Sequence, residues 1–404
     1  MVRKQRSGAE QQVAELLRTA RDSLGLSLAF MTRMDGTTQH LEVIDSSIPW
    51  VFRDGNTQRQ DTSFCQAIMD GRLPAVMPNV RDFPEAMKLP SARMPRIRSF
   101  VSVPVVLADG TVYGTFCAAG FAADKQLSKR DKALMEVLSR AASLIIEPGV
   151  RERARNAEIE GRLRPVLDGG GPVVLLQPIV DLVTRRRVGT EALSRFPGHW
   201  QLPPDRCFAD ADLIGERENL ELLALRRAGA HLGRVSGYVA MNVSPATLAT
   251  RGCLDFLAGL PLDRVVLELS EHEPIEDYDA LRTLLAPLRA RGMRLAIDDV
   301  GAGFSSLRHI VVTAPDVIKL DRSIVTGLSD DPVLTVVVRA LVDLARATGA
   351  QVVAEGVETE ADATTLAMLG AGLGQGWHFG RATPIEDLRD EYPRIPAAIP
   401  MSPV

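Results

Sequence analysis

Between Gln177 and Gly380 the chain repeats one pattern, a short apolar run that closes on a residue able to bind a cation or move a proton. The runs are VVLLQPIV, GTEALSRF, YVAMNVSP, VVLELSE, LAIDDVG, VIKLD, VVAEGVE and GLGQGWHF. They carry Gln177, Glu191, Asn242, Glu268, Asp298 with Asp299, Lys319, Glu355 with Glu358, and Gln375. The ligand candidates are carboxylates and one amide, all oxygen donors, which suit hard cations such as Mg²⁺ or Mn²⁺. None of the six histidines and no cysteine pair stands at a metal-ligand spacing, which argues against zinc. Adjacent aspartates at 298 and 299 can hold two ions a few Å apart, an arrangement that serves in-line attack on a phosphodiester. Lys319 lies inside an apolar run, where an ammonium must find a carboxylate partner or lose its proton. Beside such ions it can orient and help deprotonate an attacking water. Singly, each residue has a plainer explanation: Asp298-Asp299 as a strand-to-loop turn, Glu191 as a solvated strand end. Their joint occurrence at successive strand ends favours the chemical one.

The elements that position these residues follow from the spacing. Nearly unbroken hydrophobic runs predict buried parallel strands, and helical stretches such as ELLALRRAGAHL and VLTVVVRALVDLARATG separate several of them. That alternation predicts an α/β TIM-type (β/α)8 barrel over residues 169–395, with its chemistry gathered at the C-terminal ends of the strands. Residues 1–147 read as an α+β domain. A helix from Ala9 to Leu24 stops at Gly25, and hairpins turn at Asp35-Gly36 and Asp109-Gly110. After Ser128 the pattern is helical, is expected to break at Pro148-Gly149, and resumes to the glycines at 169–171. Residues 148–168 are thus expected to form a helical connector, since they lack the Gly/Ser composition of a flexible tether, and 396–404 a tail.

Composition sets outer bounds. The 404 residues carry a net charge of −4, which offers no basic face for duplex nucleic acid. Cys65, Cys117, Cys207 and Cys253 are scattered and read as reduced structural thiols. No apolar stretch approaches the roughly 20 residues that span a bilayer, so the expectation is a cytoplasmic protein without a membrane partner.

Over residues 160–395 the sequence closely resembles the EAL domains, bacterial phosphodiesterases that cleave cyclic di-GMP. The matching motifs are QPIVDL, Glu191-Ala192-Leu193-Ser194-Arg195, MNVSP, ELSE, DDVGAGFSSL, IKLD, AEGVET and GQGWHFGR. The resemblance implies that Glu191, Asn242, Glu268 and Asp298 surround one metal ion and that Asp298, Asp299 and Glu355 hold a second. It implies a catalytic group of Lys319, Glu355 and Glu191, and dinucleotide contacts from Gln177, Leu193, Arg195 and Gln375. Glu271 would anchor the loop 299–307, with Glu358 and Asp321 in supporting positions. Three positions depart from the family: Val300 for phenylalanine, Asp212 for glutamate, and Ala382 for proline after Arg381. None removes a ligand, but Val300 offers a smaller apolar anchor beneath the loop.

The N-terminal half resembles a GAF domain at Phe64-Cys65, in the hairpin VSVPVVLADGTVYGTFCA and in its closing helix. Such domains sense small ligands or serve dimerisation, and no ligand is legible in this one. Cys65 reads as a buried structural thiol and His40 as solvated. No G-G-D/E-E-F segment for a cyclase is present. Together the two halves imply a homodimeric, effector-regulated hydrolase producing linear pGpG. The rival is a silent receptor that binds the dinucleotide and signals through a protein partner.

Overall fold

The computed structural model describes residues 6–47, 53–92, 97–270, 274–275, 277–301 and 306–392, with backbone only for 306–309. The chain divides into two compact units at Arg155/Asn156.

The first unit opens with α1 (Gly8–Leu24), which Ser7 and Glu10 start with a reciprocal capping box and Gly25 ends in the left-handed conformation. Strands β1 (Leu28–Met34) and β2 (Thr38–Ser46) form the hairpin expected at Asp35-Gly36, where the Asp35 carboxylate accepts from the Thr37 and Thr38 amides. Then follow β3 (Thr57–Arg59), α2 (Phe64–Met69), β4 (Val76–Met77), α3 (Pro84–Lys88), and the second hairpin, β5 (Ser99–Val106) with β6 (Val112–Gly120). The six strands form one antiparallel sheet in the order β3-β2-β1-β6-β5-β4. Alternation along the strands divides its apolar residues into two layers. Met31, Val103 and Phe116 pack with Leu17 and Met135 on one face; Phe30, Phe100 and Cys117 pack with Phe64 and Cys65 on the other.

Helix α4 (Lys129–Asp168) runs unbroken through Pro148-Gly149, where the sequence led us to expect an interruption. Proline removes one amide donor and crowds the preceding turn, at a cost of about 3 kcal/mol in a helix interior. Two features offset this. Pro148 would have donated to the carbonyl of Leu144, a residue 67% exposed, so water can satisfy that oxygen. The helix is also held on both sides of the proline, by Met135, Leu138, Ala142 and Ile146 in the first unit's core and by Ile159 and Leu163 in the second.

The second unit is a closed eight-stranded barrel, ordered β10-β11-β12-β13-β14-β7-β8-β9. Its elements are β7 (Val173–Asp181), β8 (Arg187–Arg195), α5 (Pro204–Leu213), α6 (Arg217–Gly229), β9 (Tyr238–Asn242), α7 (Pro245–Leu248), α8 (Arg251–Ala258) and β10 (Val265–Ser270). They continue through α9 (Tyr278–Arg289), β11 (Arg294–Val300), α10 (Ser306–Thr313), β12 (Val317–Leu320), α11 (Arg322–Val325), α12 (Pro332–Thr348), β13 (Gln351–Ala354), α13 (Glu360–Leu369) and β14 (Leu373–Gly374). The expectation of parallel strands throughout is corrected at one strand: β7 is antiparallel to both β8 and β14. Only residues 182–186 link β7 to β8, too few for the helical crossover that parallel neighbours require. No described helix is long and apolar enough to cross a membrane.

Candidate functional site

A single interior layer of the barrel holds the site. Ala240, Val266, Ala296, Val317, Val353 and Leu373 pack with one another inside the lower barrel. Two residues further along each of these chains stand Asn242, Glu268, Asp298, Lys319, Glu355 and Gln375. Strand side chains repeat their direction every second residue, so the apolar layer is followed on the same face by a polar one. Strands β7 and β8 add Gln177 and Glu191, which pair directly across the reversed hairpin. Gln177 is therefore mid-strand, and it reaches the same layer because β7 runs the other way.

Lys319 occupies the middle of this layer at 1% exposure. Its Nζ lies 2.7 Å from Glu355 Oε1, 2.9 Å from Asp298 Oδ1, 3.0 Å from Glu268 Oε1 and 3.6 Å from Glu191 Oε2. Burial opposes its charge, but the four carboxylates hold its proton far more tightly than usual. Burial pushes the carboxyls of Glu268 and Asp298 up and that of Glu355 up to about 8, with Lys319 only partly offsetting it. Glu191 goes the other way. Burial works against its ionisation, yet Lys319 and hydrogen bonds from Gln375 and Asn242 keep its carboxyl below the ordinary range. Those bonds form a string: Asn242 Nδ2 donates to Glu191 Oε1 at 3.0 Å, and Gln375 Nε2 donates to Glu191 Oε2 at 2.6 Å. Gln375 Nε2 also reaches Gln177 Oε1 at 3.1 Å, and Gln177 donates to the Gly380 carbonyl at 3.1 Å. Gly376 is required beside Gln375, since a Cβ there would lie 2.2 Å from the Val357 carbonyl oxygen.

Asp298 and Asp299 would face opposite ways in a regular strand. A bulge in β11 between Ile297 and Val300 changes this, with Asp299 in the left-handed conformation at φ 61°. As a result carboxylate oxygens of Asp298, Asp299 and Glu355 lie within 4.8 Å of one another, as do those of Glu191, Glu268 and Asp298. The two groups share Asp298. Val300 is fully buried beyond the bulge, and Gly301 follows with φ 114°, where a Cβ would meet Ile324 Cδ1 at 2.6 Å. Asp321 caps α11 through the Ser323 amide, and its own amide donates to the Val300 carbonyl, which ties β12 to the bulge.

Metal ions fit this donor set. Five carboxylates against one ammonium leave an excess of four negative charges when all are ionised, which two divalent cations would balance. Glu268 Oε2 is buried without a hydrogen-bond partner, an oxygen left available for coordination.

Leu193 and Arg195 line a cleft of about 240 Å³ that also includes Asn242 and so adjoins the carboxylates. Asp205 and Phe208 on α5 line it too, as does Glu221. Glu221, which no sequence motif singled out, accepts the amide and hydroxyl of Ser244 on its carboxylate and so fixes the turn after Asn242. Glu358 is exposed, and no described hydrogen bond joins it to the carboxylate layer. Glu271 and residues 302–305 of the loop 299–307 fall outside the described residues.

Fold and site define a TIM-like barrel with an oxygen-donor layer at its mouth, preceded by an α+β unit. The EAL domain family matches residues 160–382 and the GAF domain family residues 9–146. The chain belongs to the EAL domain family, with a GAF domain ahead of the barrel. An uncharacterized protein of Mycobacterium tuberculosis is 35% identical over 248 residues, 57% of this chain and 40% of its own length. The bifunctional diguanylate cyclase/cyclic di-GMP phosphodiesterase MucR of Pseudomonas aeruginosa is 32% identical over 240 residues, 56% of this chain and 35% of its own. A solved structure of the MucR phosphodiesterase in complex with c-di-GMP is 29% identical, with a TM-score of 0.50 over 57% of this chain and 98% of that one. The chain spans less than half the length of these two curated relatives.

Proposed function

We propose that this chain is a metal-dependent phosphodiesterase that hydrolyses cyclic di-GMP to linear pGpG in the cytoplasm, under the influence of its GAF half. The observation that carries this proposal is the ring of carboxylates around Lys319, fed on one side by the Gln177–Gln375–Glu191–Asn242 string. The kinship with MucR, a cyclic di-GMP phosphodiesterase, supports the choice of substrate. Glu191, Asn242, Glu268 and Asp298 would hold one Mg²⁺ or Mn²⁺, and Asp298, Asp299 and Glu355 the other. Such ions lower the pKa of water and offset charge on the phosphate. Lys319 positions the attacking water, and Glu355, 2.7 Å from Lys319 Nζ, assists as the base that receives the proton released. Gln177 and Gln375 orient the dinucleotide along the string. Arg195 offers its guanidinium to a phosphate and Leu193 an apolar wall to a base.

Purified protein with Mg²⁺ or Mn²⁺ should convert cyclic di-GMP to pGpG, followed by chromatography, and Ca²⁺ with its longer, looser coordination should not support turnover. Binding of the dinucleotide without product in Mn²⁺ would replace this proposal with the silent receptor.

A further inference from the structure

On the sheet face opposite α1 and α4, the core that holds Phe30, Phe64 and Phe100 also holds two thiols in contact. Cys65 Sγ, on α2, lies 3.4 Å from Cys117 Sγ, on β6. Cys117 is flanked by Ser102 Oγ at 3.2 Å and donates to Thr115 Oγ1 at 3.2 Å. Thr115 continues to Thr32 at 2.8 Å, which accepts from Gln39 at 3.1 Å. The other two cysteines differ. Burial pushes the thiols of Cys207 and Cys253 up, Cys253 to about 11, as expected of core filler.

We propose that Cys65 and Cys117 are a redox pair that hydrogen peroxide converts to a disulfide within the GAF unit. The sulfurs need to approach by about 1.4 Å to reach the S–S bond length of about 2.05 Å. Cys65 and Cys117 are both buried, so a small oxidant reaches them through local opening of the six-residue α2, which packs Phe64, Cys65 and Ala67 into this core. The Cys65 thiolate attacks one peroxide oxygen, the O–O bond breaks, and the leaving hydroxide takes up a proton to become water. Cys117 sulfur then displaces hydroxide from the Cys65 sulfenic acid, and the Cys117 proton leaves with it as a second water. Two electrons pass from the sulfurs to the peroxide, with no further reagent. Polar contacts with Cys117 first, then with Thr115, Gln39 and Ser102, outweigh burial and lower the Cys65 thiol to about 7, which makes Cys65 the attacking partner.

The test uses the full unaltered chain. After treatment with hydrogen peroxide the protein is unfolded, its thiols are alkylated, and its peptides are mapped by mass spectrometry. Alkylatable thiols should fall from four to two, the peptides bearing Cys65 and Cys117 should appear joined, and a dithiol should restore both. Four persisting thiols, or a bond involving Cys207 or Cys253 instead, would overturn the proposal. The Cys207→Ser/Cys253→Ser double variant should still form the bond. Cys117→Ser should stop at a sulfenic acid on Cys65, trapped by a carbon-acid reagent, and absence of that adduct in a folded variant would count against Cys65 as the attacking sulfur.

Discussion

Replacing Lys319 with alanine separates proton handling from cation binding. The variant keeps all five carboxylates, so it should still bind the dinucleotide and divalent ions, by calorimetry, while turnover falls by at least about 10²-fold. Near-normal turnover would show that the lysine is a counter-charge alone. Cys65 supplies the pH dependence. Its thiolate reacts and its thiol does not, so alkylation of native protein at this residue should accelerate as pH rises through about 7 and level off above. Cys117, held well above the usual thiol range by burial, should lag at every pH in that window. The residue types of the site were legible because each strand places a polar residue two positions beyond an apolar one, the same interval on which strand faces repeat. The contact between Cys65 and Cys117 was not, since it depends on which face α2 covers and on a strand register that no local pattern encodes.

At the scale of elements, the bulge in β11 carries the most chemistry. Asp299→Asn keeps a side chain that tolerates the left-handed conformation and removes the charge. The variant should melt close to the parent, while calorimetric Mn²⁺ stoichiometry falls from two toward one; an unchanged stoichiometry would remove Asp299 from the ligand set. Gly376→Ala should act on turnover through Gln375, because the new methyl group collides with the Val357 backbone and moves the amide that steadies Glu191. The adjacent aspartates were visible in the sequence, but the backbone device that aims both at one site was not, since nothing in LAIDDVG distinguishes a bulge from a regular strand end. The reversal of β7 was nearly legible: two strand-like runs separated by five residues leave no room for a crossover. Pro148 misled in the opposite sense, because packing on both sides of it outweighs a local preference that sequence alone registers.

At the scale of the molecule, the boundary between units falls inside α4, and the last turns of that helix belong to the barrel's own core. Ile159 and Leu163 pack with Ala211 and Leu220, and Arg162 pairs with Asp210 on α5. A fragment beginning at Asn156 should therefore remain monodisperse in gel filtration. One beginning at Gly169 should lose stability and associate, as should Leu163→Ala by roughly 3 kcal/mol in denaturant unfolding. Equal behaviour of the two fragments would show that the helix end is only a passenger. The reversal of β7 also decides at which end of the barrel the chain enters it. Every other strand delivers its last residues to the rim that carries the carboxylate layer, whereas β7 begins there, with Val173 opposite Arg195. The chain leaving α4 thus arrives at the rim after only residues 169–172. The first residue of β7 and Arg195, the last residue of β8, therefore stand side by side at the end of the barrel that carries the carboxylate layer.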